Sequence, residues 1–245
     1  DEDDQGDEYR RLYGTVRTFS KQEYVDRCDT MCPSSDIRRG VILYARNAAI
    51  DAARDMGYRY LIELDDDYNR FEHRYVVGKT AKTVPIDDLD TVFDAMVEFL
   101  DRAGASTVAM AQGGDFVGGA KGRSTILASR TMWKRKAMNS FVLRTDTDMR
   151  FNGAVNEDVV TYVTMGGIGK VILTYCGVNL TQAKTQSSGG GMTEEYADDG
   201  TYCKTMFAVV ARPDCVSISK MGNKDMRIHH SIEWDCAVPK IVREV

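Results

Sequence analysis

The 245-residue chain has no run approaching the roughly 18 consecutive apolar residues that a membrane-spanning helix needs, so no membrane partner is expected. It has no leader pattern either: it opens on the acidic DEDDQGDEYRR, read as a solvated tail over residues 1–10. An excess of positive charge is missing too. Against 37 Asp+Glu there are 32 Lys+Arg, a formal net charge of −5, which excludes a surface basic all over but leaves room for a local basic groove. Of the six cysteines (Cys28, Cys32, Cys176, Cys203, Cys215 and Cys236), only Cys28 and Cys32 are close, as C-x3-C, and no partner pair stands at zinc-site spacing. All six are therefore expected as free thiols of a reducing cytosol. There is no internal repeat and no linker long enough to divide the chain. What is present is a 43% hydrophobic fraction, enough for a real core, and a length that suits one domain over 11–245.

The pattern along the chain alternates strands with helices in its first half. RLYGTVRTF (11–19) alternates and is expected as a strand. VILYARNAAIDAARDMG (41–57) carries apolar residues at helical spacing, with Gly57 as a C-cap, and YRYLIEL (58–64) is a strand. Asp87 and Asp88 are placed to cap a helix ending at Gly104. STVAMAQ (106–112) is a strand followed by the loop GGDFVGGAKG (113–122). NSFVLRTD is a further strand, Asn156 is placed to cap EDVVTYVTM, and KVILTYCGVNL is a long strand before the loop TQSSGGG (185–191). The expected class is α/β, with a mixed, mostly parallel sheet flanked by helices.

One stretch demands an explanation: YLIELDDDYNR drives an apolar strand straight into Asp65, Asp66 and Asp67. Adjacent carboxylates repel one another. In an open α/β sheet, however, ligands bind beyond the carboxyl ends of the strands, where an acidic cluster suits a cation such as Mg²⁺ or Mn²⁺ that bridges protein carboxylates to phosphates. The plainer reading is a polar turn. Glu157 and Asp158 open a helix, where acids also simply favour the helix dipole. RIHHSIEW (227–234) holds two of the three histidines, and on a strand these point to opposite faces. The third, His73, reads as a loop residue. WKRK (133–136), Lys121, Arg123 and Arg144 form a basic stretch with an aromatic inside it.

ARNAAIDAARDMGYRYLIELDDD resembles the nucleotide-binding segment of GT-A-fold glycosyltransferases, in which an Arg-Asn pair on a helix precedes a strand ending in Asp-x-Asp. The resemblance implies a GT-A-like fold in which Arg46, Asn47, Asp65, Asp66, Lys121 and Arg123 serve the nucleotide sugar. It further implies that Asp67 with Asp65 holds the metal, and that one of His229 and His230 closes the metal site. Asp158, with Glu157 second, is implied as the base beside the acceptor. MWKRKAMNSFVLRTD, FNGAVNEDVVTY, TQSSGGGMTEEY and RIHHSIEWDCAVPKIV narrow the likeness over roughly residues 38–243: together they resemble the TET/JBP-associated glycosyltransferase family. That likeness implies transfer of a sugar from UDP-glucose or UDP-N-acetylglucosamine, with Mn²⁺ or Mg²⁺, to 5-hydroxymethylcytosine or 5-hydroxymethyluracil in DNA. The expected setting is cytoplasmic, the host cytoplasm if the chain is phage-encoded. GT-A domains usually begin with a strand that helps hold the nucleobase; RLYGTVRTF looks like the second strand of the fold, with the first absent or trimmed. The alternatives are a small-molecule, protein or glycan acceptor, a non-catalytic DNA-binding domain of the same fold, and nucleotidyl transfer.

Overall fold

The computed structural model describes residues 6–31, 41–78, 80–112, 134–138, 140–182, 193–221 and 227–240. In chain order the elements are α1 (Gly6–Tyr13), α2 (Lys21–Val25), α3 (Leu43–Asp55), β1 (Tyr60–Leu64), β2 (Tyr68–Val77), β3 (Thr80–Pro85), α4 (Leu89–Ala103), β4 (Thr107–Gln112), β5 (Ser140–Arg144), α5 (Glu157–Gly167), β6 (Ile172–Gln182), α6 (Thr193–Ala211), β7 (Val216–Met221), β8 (Arg227–Ile232) and α7 (Trp234–Ala237). The punctuation foreseen in the sequence operates. Asp88 accepts from the Thr91 N–H at 3.1 Å to start α4, and Gly104 ends it in the left-handed region at φ +60°. Gly57, at φ +76°, follows α3.

Six strands form one sheet in the order β1-β5-β4-β6-β2-β3, and β7-β8 form a separate antiparallel ribbon. The sheet is mixed, as expected, but its neighbours pair mostly antiparallel: β4–β6 is the one parallel contact. The reason is that β5 returns between β1 and β4, both of which it opposes. β1, β4 and β6 therefore run the same way, and their carboxyl ends share one edge of the sheet. The architecture is mixed α/β and compatible with a GT-A-like fold. Side chains alternate across β5: Phe141 and Leu143 enter a core with α3 and α5, while Val142 enters a second core with Val92, Met96 and Leu100 of α4. Among the described residues no helix is long and apolar enough to cross a membrane. The five described cysteines are free thiols; Cys32 lies outside the described residues.

One expected strand is overturned. Residues 11–13 end α1, stabilised by i,i+3 pairs Asp7–Arg10 and Glu8–Arg11, and 15–20 join no ladder. The alternation in RLYGTVRTF thus has no partner strand to read it. α1 runs across residue 10 and buries none of its residues. The loops expected at 113–122 and 185–191 lie outside the described residues.

Past the sheet, α6 packs on the β7-β8 ribbon and on α5. Arg212 laces the layer together, donating to the Val163 carbonyl at 2.7 Å and to the Cys236 carbonyl at 3.3 Å, and Trp234 stacks on Tyr162 at 5.4 Å. Here α5 and α7 approach so closely that a Cβ on Gly166 would lie 2.2 Å from the Ala237 carbonyl oxygen. Gly166→Ala is therefore expected to lower stability by about 1–3 kcal/mol and to shift the Trp234 fluorescence. Urea unfolding followed at the tryptophan band checks this; an unchanged midpoint and spectrum would show that the contact yields at no cost.

Candidate active site

The register places Glu63 opposite Phe141, Phe141 opposite Ala109, and Ala109 opposite Thr174, so these four form one row across one face of the sheet. Just beyond the row the parallel strands end. Asp65, Asp66 and Asp67 follow β1, Gln112 ends β4 and Gln182 ends β6. Gln112 donates to Gln182 at 3.1 Å, and Gln182 donates to Asp67 at 3.4 Å. Asp65 is partly buried and its N–H donates to the Tyr68 hydroxyl oxygen at 3.0 Å, while Asp66 and Asp67 face solvent. The aspartates therefore stand at the sheet edge where ligands gather in open α/β sheets.

Arg46 is the centre of this edge. It sits on the inner face of α3, only 5% exposed, above the rings of Phe141 (5.2 Å) and Phe151 (5.3 Å). Its guanidinium donates to Asp65 at 3.0 Å and pairs with Glu63 at 3.5 Å and Glu157 at 3.6 Å. Burial opposes its charge, but Asp65, Glu157, Glu63 and Asp158 together outweigh that and hold it firmly protonated. One cation facing four carboxylates leaves the cluster short of positive charge. The carboxyls register this. Burial, partly offset by Arg46, pushes Glu63 up to about 8. Burial also raises Asp65, with Asp67 and Asp66 adding to the effect, and burial together with Asp158 raises Glu157. Glu63 was not anticipated. Its signal was a lone charged residue inside the apolar run YLIEL, since a buried charge must find a partner.

Asn156 occupies the N-cap of α5 in the left-handed conformation (φ +60°), but its side chain makes no capping bond and its buried Nδ2 finds no partner. Instead Asp158 Oδ1 accepts from the Val159 N–H at 2.8 Å. Asn47 turns its amide to the backbone of Phe151, donating to its carbonyl at 2.9 Å and accepting its N–H at 3.0 Å. Asp51 adds a pair with Arg150 at 2.6 Å. These bonds pin the Arg150–Phe151 segment, and with it the floor under Arg46, to α3.

The basic stretch is largely spent within the structure. Lys134 pairs with Asp235, Arg135 is buried and donates to Cys176 at 2.8 Å, and Arg144 pairs with Asp146 at 2.7 Å. Lys121 and Arg123 lie outside the described residues. His73 is on β2 and not in a loop. His229 and His230 alternate in burial as a strand requires, His230 being only 6% exposed, yet their rings turn toward each other to a 4.2 Å separation. Burial, then His229, Lys136 and Lys204, pulls His230 down to about 3. Among the described residues no three His, Cys, Asp or Glu side chains converge as a metal site, so the histidines do not join the aspartates in a ready-made ligand set. The oxygen-only set at Asp65 and Asp67 suits Mg²⁺ or Mn²⁺ with phosphate oxygens completing the shell. A cleft of about 320 Å³ lined by Arg54, Thr145, Asp146, Asp148 and Arg150 lies about 12 Å along α3 from Arg46 and includes none of the carboxylates that Arg46 gathers.

A family model described as TET-Associated Glycosyltransferase matches residues 1–191. No curated protein and no solved structure matches the chain.

The raised Glu63 carboxyl has a stability consequence. Folded Glu63 keeps a proton up to about pH 8 that the unfolded chain releases near the ordinary glutamate value of 4.5. A carboxyl raised in this way stabilises the fold at low pH, and the contribution is lost as pH rises toward 8. Below about 6.5 the depressed His230 acts in the opposite sense, so the clear window is pH 6.5 to 8. There, stability is expected to fall by about 1.4 kcal/mol per pH unit for each such proton, and Glu63→Gln should flatten the slope. Urea midpoints across this range check it; identical slopes in both proteins would contradict it.

Proposed function

Because the chain belongs to the TET-associated glycosyltransferase family, we propose that it transfers a sugar from a UDP-linked donor to the hydroxymethyl group of 5-hydroxymethylcytosine or 5-hydroxymethyluracil in DNA. The observation that carries this reading is Arg46, which ties Asp65, at the end of β1, to Glu157, at the start of α5, across more than ninety residues of chain. On this reading the residues serving donor and acceptor are held on one cation. Asp67, exposed and accepting a long bond from Gln182, is suited with Asp65 to hold Mg²⁺ or Mn²⁺. Such an ion would neutralise the diphosphate leaving group. Arg46 holds Asp65 in place and Glu63 backs Arg46 from within the sheet. Asp158 takes the proton of the attacking hydroxyl. The new carbon–oxygen bond forms as the bond to the diphosphate breaks, with the electron pair leaving on phosphate, and a base on the acceptor side fits inversion at the sugar carbon.

A second reading, a glycan, protein or small-molecule acceptor, is favoured by the net charge of −5 and by the internal pairing of Lys134 and burial of Arg135. Incubation with hydroxymethylated DNA, UDP-glucose or UDP-N-acetylglucosamine and Mn²⁺, followed by nucleoside mass analysis, separates the two. A mass-shifted nucleoside is expected; none with any donor would sink the DNA reading.

Asp67→Ala is expected to abolish turnover and leave the circular dichroism spectrum unchanged, because an exposed carboxylate contributes little to stability. Full activity of this variant in EDTA would remove the metal role. Asp158→Asn keeps shape and removes the proton acceptor, so kcat should fall by roughly 10²–10⁴ with donor binding intact. Near-normal kcat would transfer the role to Glu157 or out of the pair.

A further inference from the structure

The histidine pair has the wrong neighbours for a divalent cation. His230 sits on β8 beneath α6, 94% buried by its 6% exposure, and neither ring nitrogen has a hydrogen-bond partner. A buried imidazole without partners is costly unless a ligand supplies them. Among the described residues the charges that bear on it are His229, Lys136 and Lys204, and no carboxylate is one of them. These groups come from three separate parts of the chain. Lys204 is on α6, where the adjacent Thr205 donates to the Ile228 carbonyl of β8 at 3.4 Å. The Lys136 carbonyl accepts from Thr174 of β6, and Lys134 pairs with Asp235 of α7, so the short 134–138 segment is held between the sheet and α7. His229, Lys136 and Lys204 are half-buried, so the cluster reaches solvent while His230 forms its floor.

We propose that His229, His230, Lys136 and Lys204 form a binding site for a phosphate group. The chemistry is complementary. Each imidazole offers an N–H, the two ammonium groups supply charge, and a phosphate oxyanion accepts from all of them. A metal ion placed on the same nitrogens would instead face two lysines, and among the described residues no carboxylate bears on His230 to compensate them, so the site departs from the metal-ligand role that the resemblance implies for a C-terminal histidine. The position is also informative. Thr174, which anchors Lys136, is the last member of the row that begins at Glu63, three strand spacings or about 14 Å away on the same sheet face. An acidic, cation-seeking end and a basic, anion-seeking end thus share one face. Which phosphate ester binds, the diphosphate of a nucleotide donor or the backbone of DNA, rests on the glycosyltransferase reading; the site itself does not.

The test uses inorganic pyrophosphate in EDTA, with the full chain. Having only three histidines, the protein gives a simple imidazole spectrum. Pyrophosphate is expected to shift two of the three signals, and Lys136→Met/Lys204→Met, at partly exposed positions that spare the fold, to weaken its affinity at least tenfold as read by calorimetry. Asp67→Ala should leave pyrophosphate affinity unchanged, which separates this site from the aspartate edge: loss of turnover there without loss of pyrophosphate binding speaks to the metal reading alone. Displacement of pyrophosphate by UDP assigns the site to the donor, and displacement by a short single-stranded oligonucleotide assigns it to DNA. Unchanged affinity in the double lysine variant, displacement by neither competitor, or Mn²⁺ broadening of the His229 and His230 signals in Asp67→Ala would overturn the proposal.

Discussion

A single guanidinium organises this protein. Arg46 is buried, and a buried cation is tolerated only where opposite charge and polarisable surface surround it. It finds Glu63 from β1, Asp65 from the turn after β1, Glu157 from α5, and two aromatic faces beneath. Removing Arg46 would leave Glu63, Asp65 and Glu157 without their shared cation in a dry place, so the positions of α3, β1 and α5 are mutually dependent. The surrounding bonds serve the same end: Asn47 and Asp51, one and five residues further along α3, fix the segment that supplies Phe151.

The arrangement also sets the electrostatics of the edge. With more carboxylates than cations, the buried members are pushed toward their protonated forms, and the exposed Asp66 and Asp67 stay at the rim. The same sheet face carries the opposite imbalance at its far side, where a buried histidine is flanked by lysines.

Local signals were legible where the chemistry is local. The α3 stripe, the Asp88 cap, the left-handed glycines after α3 and α4, and the strand that delivers Asp65 depend on neighbours a few residues apart. Signals failed where a partner decides. The alternation of RLYGTVRTF found no ladder, the β2-β3 hairpin was hidden by charged residues such as Arg74 and Lys82 interrupting its apolar positions, and α6 was masked by its acidic first half and internal Gly200. The expected parallel sheet became mostly antiparallel because β5 inserts between strands whose own directions agree. Within the basic WKRK stretch, Lys134 pairs at the surface with Asp235, 101 residues on, and the buried Arg135 donates to Cys176, 41 residues on; neither partner is visible in local spacing.

By itself the sequence determined the composition of the site: which acids end a strand, which acids open a helix, and which arginine and histidines accompany them, because residue identity and short spacing fix chemistry without reference to fold. Only the tertiary structure decided their grouping. It brought Asp65 and Glu157 to one arginine, recruited Glu63 from inside a strand, and set the histidines among lysines. Those are choices of packing and register, made by strands and helices distant in the chain, and the energy of a buried charge is settled by what surrounds it in space.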